Sequence, residues 1–185
     1  MTAIERRTQL IAAARELLET EGAKAITMRR LGAQLGIRGP SLYKHVTSKE
    51  EIEAALIIDG LAELADILEG VPRTFVDLAG AYRAWALEHP HLYWLLNRRP
   101  LPRASLPTGL EQRTAALLID ACGGDGDLAR AAWATINGLI DLELADRLPP
   151  DADITAAYAA AARAYAGVRL GSLEPVEVED AIQVP

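Results

Sequence analysis

Cationic and hydrogen-bonding side chains cluster between Arg38 and Lys49, in a chain of 185 residues whose formal net charge is −7. The stretch RGPSLYKHVTSK places Arg38, Lys44, His45 and Lys49 within a span of twelve residues. Groups of this kind neutralise phosphates and hydrogen-bond to their oxygens. The cluster is therefore either a surface that binds a phosphate-bearing partner or a basic patch surrounded only by water.

The distribution of charge along the chain favours a phosphate-bearing partner. Residues 1–50 carry nine Lys and Arg side chains against five Glu, a net charge of +4, whereas the remaining residues carry −11. A basic first quarter on an acidic body indicates a nucleic-acid-binding end joined to a body with another role.

A helix–break–helix arrangement positions the basic cluster. Thr27 is a good N-cap for a helix, and Ile26 and Leu31 match the hydrophobic staple that often accompanies such a cap. The sequence Gly36–Gly39 breaks this helix, and Pro40 suits the first position of the next one.

A longer helix follows, with a start that the sequence leaves open between two residues. Both Thr47–Glu50 and Ser48–Glu51 fit the capping-box pattern. The helix continues for about 20 residues to a stop at Gly70–Pro72, which makes a rod of about 30 Å. Helical spacing of apolar residues recurs through the rest of the chain and strand-like alternation is nearly absent, so we expect an all-α fold.

The short helix after the break presents a narrow basic ridge. At about 100° per residue, Leu42 and Val46 mark its buried side and Lys44 lies opposite them. Small and basic residues form the ridge and two hydrogen-bonding rings flank it: Pro40, Ser41 and Lys44 on the ridge, Tyr43 and His45 beside it.

The major groove of DNA accepts a helix of this kind, because it is about 12 Å wide and exposes base edges. Ser41 and Lys44 can hydrogen-bond to bases, and Pro40 can contact a thymine methyl group. Tyr43 and His45 can donate hydrogen bonds to phosphate oxygens on the groove walls.

Two helix N-termini add further candidates for phosphate contacts. Lys49 lies in the first turn of the long helix, where free backbone N–H groups favour an anion. Thr27 and Arg29 occupy the equivalent end of the earlier helix. The alternative is an ordinary helical hairpin whose exposed side happens to be basic.

The stretch ITMRRLGAQLGIRGPSLYKHVTSKEEIEAAL closely resembles the N-terminal domain of the TetR family of transcriptional regulators, and with the preceding helix the resemblance covers about residues 6–60. Its specific part is LYKHVTSKEEI, with the order Leu-Tyr-x-His-apolar-x-x-Lys. The resemblance implies a three-helix DNA-binding head with a helix-turn-helix in residues 1–50. A long fourth helix would join it to a helical ligand-binding and dimerisation domain in residues 51–170. By its own composition, the acidic, Pro-containing tail in residues 171–185 is expected to be poorly ordered.

The resemblance also assigns contacts to individual residues. The family's phosphate contacts fall on Thr27, Tyr43, His45 and Lys49, and its base contacts fall among Arg29, Arg38, Pro40, Ser41 and Lys44. Gly39 stands where some members have a base-contacting side chain, so Arg38 or Lys44 is expected to carry more of the specificity. The expected assembly is a homodimer on a palindromic double-stranded DNA operator, in the bacterial cytoplasm.

The body resembles the family's second domain only in being helical. Its aromatic side chains are either packed core or the lining of an apolar effector cavity with a few polar groups. The candidate ligand-binding residues are Trp85, Tyr93, Trp94, Trp133 and Asn137. The helix that contains Trp133, expected to share one face with Ile136 and Ile140, would form half of a dimeric four-helix bundle with the alanine-rich last helix.

Catalysis and metal binding have little support in the sequence. There is no nucleophile elbow, no phosphate-binding glycine loop and no cluster with metal-ligand spacing, so we expect no catalytic residue, metal or cofactor. His89 and His91 flank a predicted kink and have no third ligand, and Asp141 and Glu143 are expected to be solvated. Cys122 is expected to be a small core residue in a reducing compartment.

No apolar run is long enough to span a membrane, and the first residues do not resemble an export signal. Three functions stay open: a repressor whose operator affinity depends on a small, largely apolar effector, a ligand-independent dimeric DNA-binding adaptor, and a small helical enzyme. The identity of the effector and the direction of its effect are open as well.

Overall fold

The computed structural model describes residues 3–37 and 39–166. Within these residues the chain forms nine α-helices, two short 3-10 turns at Ala23–Ala25 and Arg103–Ser105, and no strand. The predicted all-α fold class is therefore confirmed. The helices are α1 (Ala3–Glu21), α2 (Met28–Leu35), α3 (Gly39–Leu42), α4 (Lys49–Glu69), α5 (Phe75–Glu88), α6 (Pro90–Arg98), α7 (Leu110–Ala121), α8 (Gly126–Leu144) and α9 (Ile154–Ala166).

The helices on either side of the basic cluster begin at side-chain caps. Thr27 Oγ1 accepts a hydrogen bond from the Arg30 backbone N–H at 3.2 Å, which confirms the predicted N-cap of α2. Ser48 caps α4 by accepting a bond from the Glu51 N–H at 3.3 Å. The Glu51 carboxylate in turn accepts bonds from the N–H and the hydroxyl of Thr47, at 2.7 and 2.9 Å. Of the two starts that the sequence leaves open, the chain therefore uses the Ser48 cap.

The predicted break after α2 is a Schellman motif. Gly36 has a φ of 64°, in the left-handed region that glycine adopts without strain. Its N–H bonds to the Ala33 carbonyl at 3.3 Å, and the Ile37 N–H bonds to the Gly32 carbonyl at 2.8 Å. The last carbonyls of α2 are thereby satisfied, and the chain can turn into α3.

Helix α3 ends at Leu42, earlier than the sequence predicted, because residues 43–45 form a turn. The N–H groups of His45 and Val46 nevertheless both bond to the Leu42 carbonyl, at 3.0 and 3.3 Å, so the helical path continues to Val46. Leu42 and Val46 are 0% and 1% exposed. Their predicted place on the buried side is confirmed.

Helix α4 connects the basic end of the molecule to the body. It packs against α1, α5, α6 and α7. A Cβ atom at Gly60 would lie only 2.8 Å from Leu92 Cδ2, so this glycine permits the close approach of α4 and α6. The helix ends at Glu69 with Gly70 as its C-cap, as predicted.

The body is formed by α5–α9, with α8 and α9 packed against each other and against α5. Pro90 is the first residue of α6, which confirms the predicted kink after α5, and Cys122 is buried as expected. The division into residues 1–50, 51–170 and 171–185 stays a prediction. The tail and residues 167–170 of the last predicted helix lie outside the described residues. Among the helices that are described, none combines the length and apolarity needed to cross a membrane.

Candidate nucleic-acid interface

The ridge predicted for DNA contact lies on the protein surface. Ser41 and Lys44 are exposed, Tyr43 is 54% exposed, and His45 is half-buried. Within the described part of the chain, the side chains of Ser41, Tyr43 and Lys44 make no hydrogen bond or ion pair. Buried Leu42 and Val46 fix the opposite side, so these polar groups point outward with their hydrogen-bonding capacity unused.

The structure does not describe the side chains of two predicted contact residues. Arg38 lies outside the described residues, and Pro40 is described through its backbone alone. The backbone of Pro40 is in the first turn of α3, one position after the predicted one, because the helix begins at Gly39.

The start of α2 adds an exposed cation to the DNA-binding head. Arg29 is exposed and has no ion pair among the described residues, whereas its neighbour Arg30 pairs with Glu21 through two guanidinium–carboxylate contacts, one of them 2.7 Å long. The hydrogen bond from Arg30 holds the pKa of Glu21 below its ordinary value. Of the two neighbouring arginines, Arg29 is therefore the one whose guanidinium is available to a partner. Thr27, two residues earlier, is also exposed.

Lys49 is placed differently from the other candidates. It is the first residue of α4, as predicted, but its Nζ donates to the Ala23 carbonyl at 2.8 Å and lies 3.4 Å from Glu53 Oε1. Its ammonium is therefore occupied by groups of the protein itself. The phosphate contact expected of Lys49 stays a prediction.

The two histidines beside Pro90 join the body to α1. His89 Nδ1 lies 3.2 Å from Glu19 Oε1, and its Nε2 lies 3.4 Å from Glu63 Oε1 on α4. The Trp85 indole N–H also donates to Glu63 Oε1, at 2.8 Å. His91 Nδ1 lies within hydrogen-bond distance, 3.1 Å, of the Glu19 carbonyl. Both histidines therefore hold helices together at the contact between α1, α4 and the α5–α6 kink.

A polar cluster lies in the middle of the body, where α5, α6 and α8 meet. The Tyr93 hydroxyl donates to Asp141 Oδ1 at 2.6 Å and lies 3.3 Å from Asn137 Oδ1. The Tyr82 hydroxyl donates to the same Asn137 oxygen at 3.1 Å and accepts a bond from Asn97 Nδ2 at 3.0 Å. Burial raises the pKa of Tyr82 to about 12, and burial together with the bond to Asp141 raises the pKa of Tyr93. Both phenols are therefore neutral hydrogen-bond donors at physiological pH.

The structure brings four of the five predicted ligand-binding residues into or beside this cluster. Tyr93 and Asn137 belong to it, the Trp94 ring meets the Tyr93 ring edge-on at 5.2 Å, and the buried Trp85 packs beside Tyr82. Trp133 is 53% exposed and lies on the surface.

Two expectations about α8 are wrong. The buried side of the helix is centred on Ala129, Ala132, Ile136 and Ile140, so Trp133 lies at its edge and does not share the buried face. Asp141 and Glu143 are not merely solvated, because Asp141 accepts the bond from Tyr93 and Glu143 forms a two-point ion pair with Arg83.

One buried group near the cluster has no partner in the described residues. The Tyr158 hydroxyl on α9 is buried and makes no hydrogen bond. Helix α9 packs against α5 and α8, two of the helices that form the cluster, and burial raises the pKa of Tyr158 to about 12. An unsatisfied hydroxyl beside a polar cluster is suited to hydrogen-bond an incoming molecule.

Comparisons with known proteins agree with this arrangement. The family model described as "Bacterial regulatory proteins, tetR family" matches residues 10–56, and the model "Tetracyclin repressor-like, C-terminal domain" matches residues 75–165. The HTH-type transcriptional regulator Rv0681 of Mycobacterium tuberculosis is 32% identical over 152 residues, which are 75% of this chain and 70% of the relative. The chain belongs to the TetR family.

A second relative and a solved structure also match most of this chain. The TetR-family chain is 28% identical to the M. tuberculosis regulator Rv1816 over 74% of its own length, and it spans 58% of the length of that relative. A TetR-family transcriptional regulator from Streptomyces coelicolor has the same fold, with a TM-score of 0.67, 19% identity and coverage of 90% of this chain and 81% of that one. The resemblance found in the sequence is confirmed.

Membership of the TetR family settles the class of protein. The chain is a transcriptional regulator with a helix-turn-helix DNA-binding domain, and it is not an enzyme.

Sequence reasoning assigned Tyr93 and Asn137 to a site, but it missed three other members of the cluster in the body of this TetR-family chain and the hydroxyl near it. The missed residues are Tyr82, Asn97, Asp141 and Tyr158. Asp141 follows Asn137 by four residues on α8, so the two side chains share a helix face. That spacing next to tyrosines on other helices was the available signal.

Proposed function

We propose that the protein is a homodimeric repressor that binds a palindromic operator and whose operator affinity is changed by a small, largely apolar effector. The observation that supports DNA binding most strongly is the exposure of Ser41, Tyr43 and Lys44 without intramolecular partners, opposite the buried Leu42 and Val46. These groups have unused donors and acceptors on one narrow side, as contact with base edges and phosphates requires.

In the proposed complex, α3 and the turn after it lie in the major groove. Ser41 and Lys44 contact base edges, with Pro40 and Arg38 beside them, and Tyr43 and His45 contact phosphates on the groove walls. At the start of α2, the exposed Thr27 contacts the DNA backbone on one side and the exposed Arg29 reaches a base edge. Lys49 at the start of α4 contacts the backbone on the other side. Two such heads engage half-sites about 34–36 Å apart, one turn of the double helix.

Helices α8 and α9 are the proposed dimer interface. From residue 131 to the end of α8, the exposed residues are small or apolar: Ala131, Trp133, Ala134, Gly138 and Leu142. Ala156, Ala160 and Ala164 are exposed on α9, at helical spacing. Small side chains let helices of a second protomer approach closely, and the four helices would form a bundle across a two-fold axis.

The proposed effector site is the polar cluster of Tyr82, Tyr93 and Asn137. It has hydrogen-bonding groups among packed aromatic rings, which is the usual composition of a small-molecule site. The unpartnered Tyr158 hydroxyl supports a ligand with a hydrogen-bonding group. An effector that bonds to Asn137 or Tyr93 would replace bonds between α6 and α8, and α6 is packed against α4.

A ligand-independent dimeric DNA-binding adaptor is the second candidate. The observation in its favour is that Tyr82, Tyr93, Asn137 and Asp141 already satisfy one another, so a ligand must displace existing hydrogen bonds.

Selection of bound duplexes from a random DNA pool, followed by titration with a panel of small apolar molecules, tests the proposal. We expect a palindromic consensus, and we expect an effector to shift operator affinity by about 5–150-fold. Lys44→Gln should weaken operator binding, whereas Arg147→Gln, which removes the same charge from an exposed position in the body, should not. If no duplex is enriched, the DNA-binding proposal is wrong. An enriched palindrome that no member of the panel affects would favour the adaptor.

A further inference from the structure

Glu53 on α4 is the one carboxylate that is buried among the described residues, with 7% of its surface exposed. A buried charge is stable only when it has charged or hydrogen-bonding partners, because removing it from water costs several kcal/mol. Glu53 lies at the end of α4 nearest the DNA-binding head, one helical turn after Lys49. The groups that pair with Glu53 therefore lie next to the DNA-binding head.

Two cations share this carboxylate, and they come from different parts of the molecule. Lys49 Nζ lies 3.4 Å from Glu53 Oε1. Arg99 Nη2 lies 3.3 Å from the same Oε1, and Arg99 Nε lies 3.2 Å from Oε2. Arg99 directly follows the last residue of α6, so the body supplies one of the two counterions and the head supplies the other.

The two cations differ in what they can do for DNA binding. Lys49 is at the N-terminus of α4, in the position proposed to contact a phosphate, but its ammonium is occupied by Glu53 and the Ala23 carbonyl. Lys49 can leave Glu53 for a phosphate only if another cation keeps the buried carboxylate neutralised. Arg99 meets that condition, because it binds both carboxylate oxygens and also repels the neighbouring ammonium.

We propose that Arg99 is a positioning residue for DNA binding, which releases Lys49 to an operator phosphate by neutralising Glu53. When Arg99 is withdrawn from Glu53, Lys49 must remain as its counterion and the phosphate contact is lost. This inference rests on the proposed function, in which Lys49 binds phosphate. It gives the body a direct connection to the DNA contact, because movement of the end of α6 changes the charge balance at the start of α4.

The test compares operator affinity, and its dependence on salt, for full-length variants bound to the duplex that the unaltered protein selects from a random pool. Arg99→Gln should weaken binding about tenfold and lower the salt slope by about two per dimer, one for each lost phosphate contact. Arg98→Gln is the matched control, since it removes the same charge one residue earlier, where the guanidinium lies over the Trp94 ring at 3.7 Å. The control should leave the salt slope unchanged.

Rescue separates this mechanism from a merely structural effect. Glu53→Gln removes the buried charge with almost no change of shape, so Glu53→Gln/Arg99→Gln should recover the affinity and the salt slope that Arg99→Gln loses. Lys49→Gln should lower the salt slope by itself, and adding Arg99→Gln to a Lys49→Gln/Glu53→Gln variant, which has no buried charge to neutralise, should have no further effect. Glu53→Gln alone should bind at least as tightly as the unaltered protein, which tests the idea even if Arg99→Gln unfolds.

The outcomes are distinguishable. If Arg99→Gln behaves like Arg98→Gln, or if Glu53→Gln does not rescue it, the positioning role is overturned while the proposed function stands. If Lys49→Gln keeps the full salt slope, Lys49 does not contact phosphate, and that part of the proposed function is wrong. If the unaltered protein selects no duplex, the proposed function itself is wrong.

Discussion

The Tyr93 hydroxyl on α6 donates a 2.6 Å hydrogen bond to Asp141 Oδ1 on α8. This bond joins the helix that contacts α4 to a helix of the proposed dimer interface. Tyr93 is fully buried, so its hydroxyl has no water to replace the carboxylate. The pair therefore stabilises the fold and also connects the two parts of the molecule that a regulator must coordinate.

Tyr93→Phe should lower the free energy of unfolding by about 1.5–3 kcal/mol, the usual contribution of a hydrogen bond to a charged group. The measurement is urea unfolding followed by circular dichroism. Tyr43→Phe is the matched control, because that hydroxyl is exposed and has no partner in the described residues; it should change stability by less than about 0.5 kcal/mol. Equal effects of the two substitutions would mean that the bond to Asp141 contributes nothing.

Acid should destabilise the protein partly through Glu51. Hydrogen bonds from the Thr47 backbone N–H and hydroxyl, and one from Arg7, hold the pKa of Glu51 below its ordinary value of 4.5. A carboxyl group with a lowered pKa in the folded state contributes stability that is present above pH 4.5 and is lost as the pH falls through the folded-state pKa.

Urea unfolding at neutral pH and at about pH 3 measures this contribution. Glu51→Gln should be less stable than the unaltered protein at neutral pH, and the difference should shrink in acid. Glu88→Gln, which removes the same charge at the exposed end of α5, is the control and should change stability at neutral pH by less than about 0.5 kcal/mol. A stability difference for Glu51→Gln that is the same at both pH values would contradict the assignment.

The local features of the head were predictable from the sequence because they depend on residues close together in the chain. The caps at Thr27 and Ser48, and the burial of Leu42 and Val46, follow from backbone hydrogen bonding and helical periodicity within a few residues. The Gly36 turn follows in the same way from its conformational freedom.

Contacts between distant residues were not predictable in this way. Glu53 and Arg99 are 46 residues apart, and nothing in the pattern around either one indicates that they meet. The same is true of Tyr93 and Asp141, so Asp141 seemed to be a solvated charge until the packing of α6 on α8 was known. The prediction that Trp133 shares the buried face of α8 was wrong for a related reason, because the position of a helix's buried side depends on which neighbouring helices cover it.

The proposed dimer interface predicts a change of oligomeric state. Ala134→Glu places a charge in the middle of the exposed small-residue side of α8, where burial in a dimer would leave it without a counterion. We expect monomers by sedimentation, whereas Ala116→Glu on the exposed side of α7 should leave the dimer intact. Deleting residues 151–170 should likewise give monomers. If Ala134→Glu and the deletion variant both remain dimeric, the interface lies elsewhere.

Substitutions on the ridge should separate base contacts from phosphate contacts. Lys44 and Ser41 lie on the side opposite the buried Leu42, so they face base edges in the proposed complex. Lys44→Ala or Ser41→Ala should therefore change the preference at particular base pairs by about 1–3 kcal/mol each in a binding-site library. Arg29→Ala, at the start of α2, tests whether the family's expected base contact there is real.

Tyr43→Phe is the corresponding control for the phosphate contacts. It removes only a hydroxyl at the flank of the ridge, so affinity should fall by a similar factor for every sequence in the library. A uniform loss for Lys44→Ala, with unchanged preferences at all positions, would mean that the ridge does not contact bases. In that case the specificity would have to come from Arg38 or Arg29, the remaining cations at the break and at the start of α2.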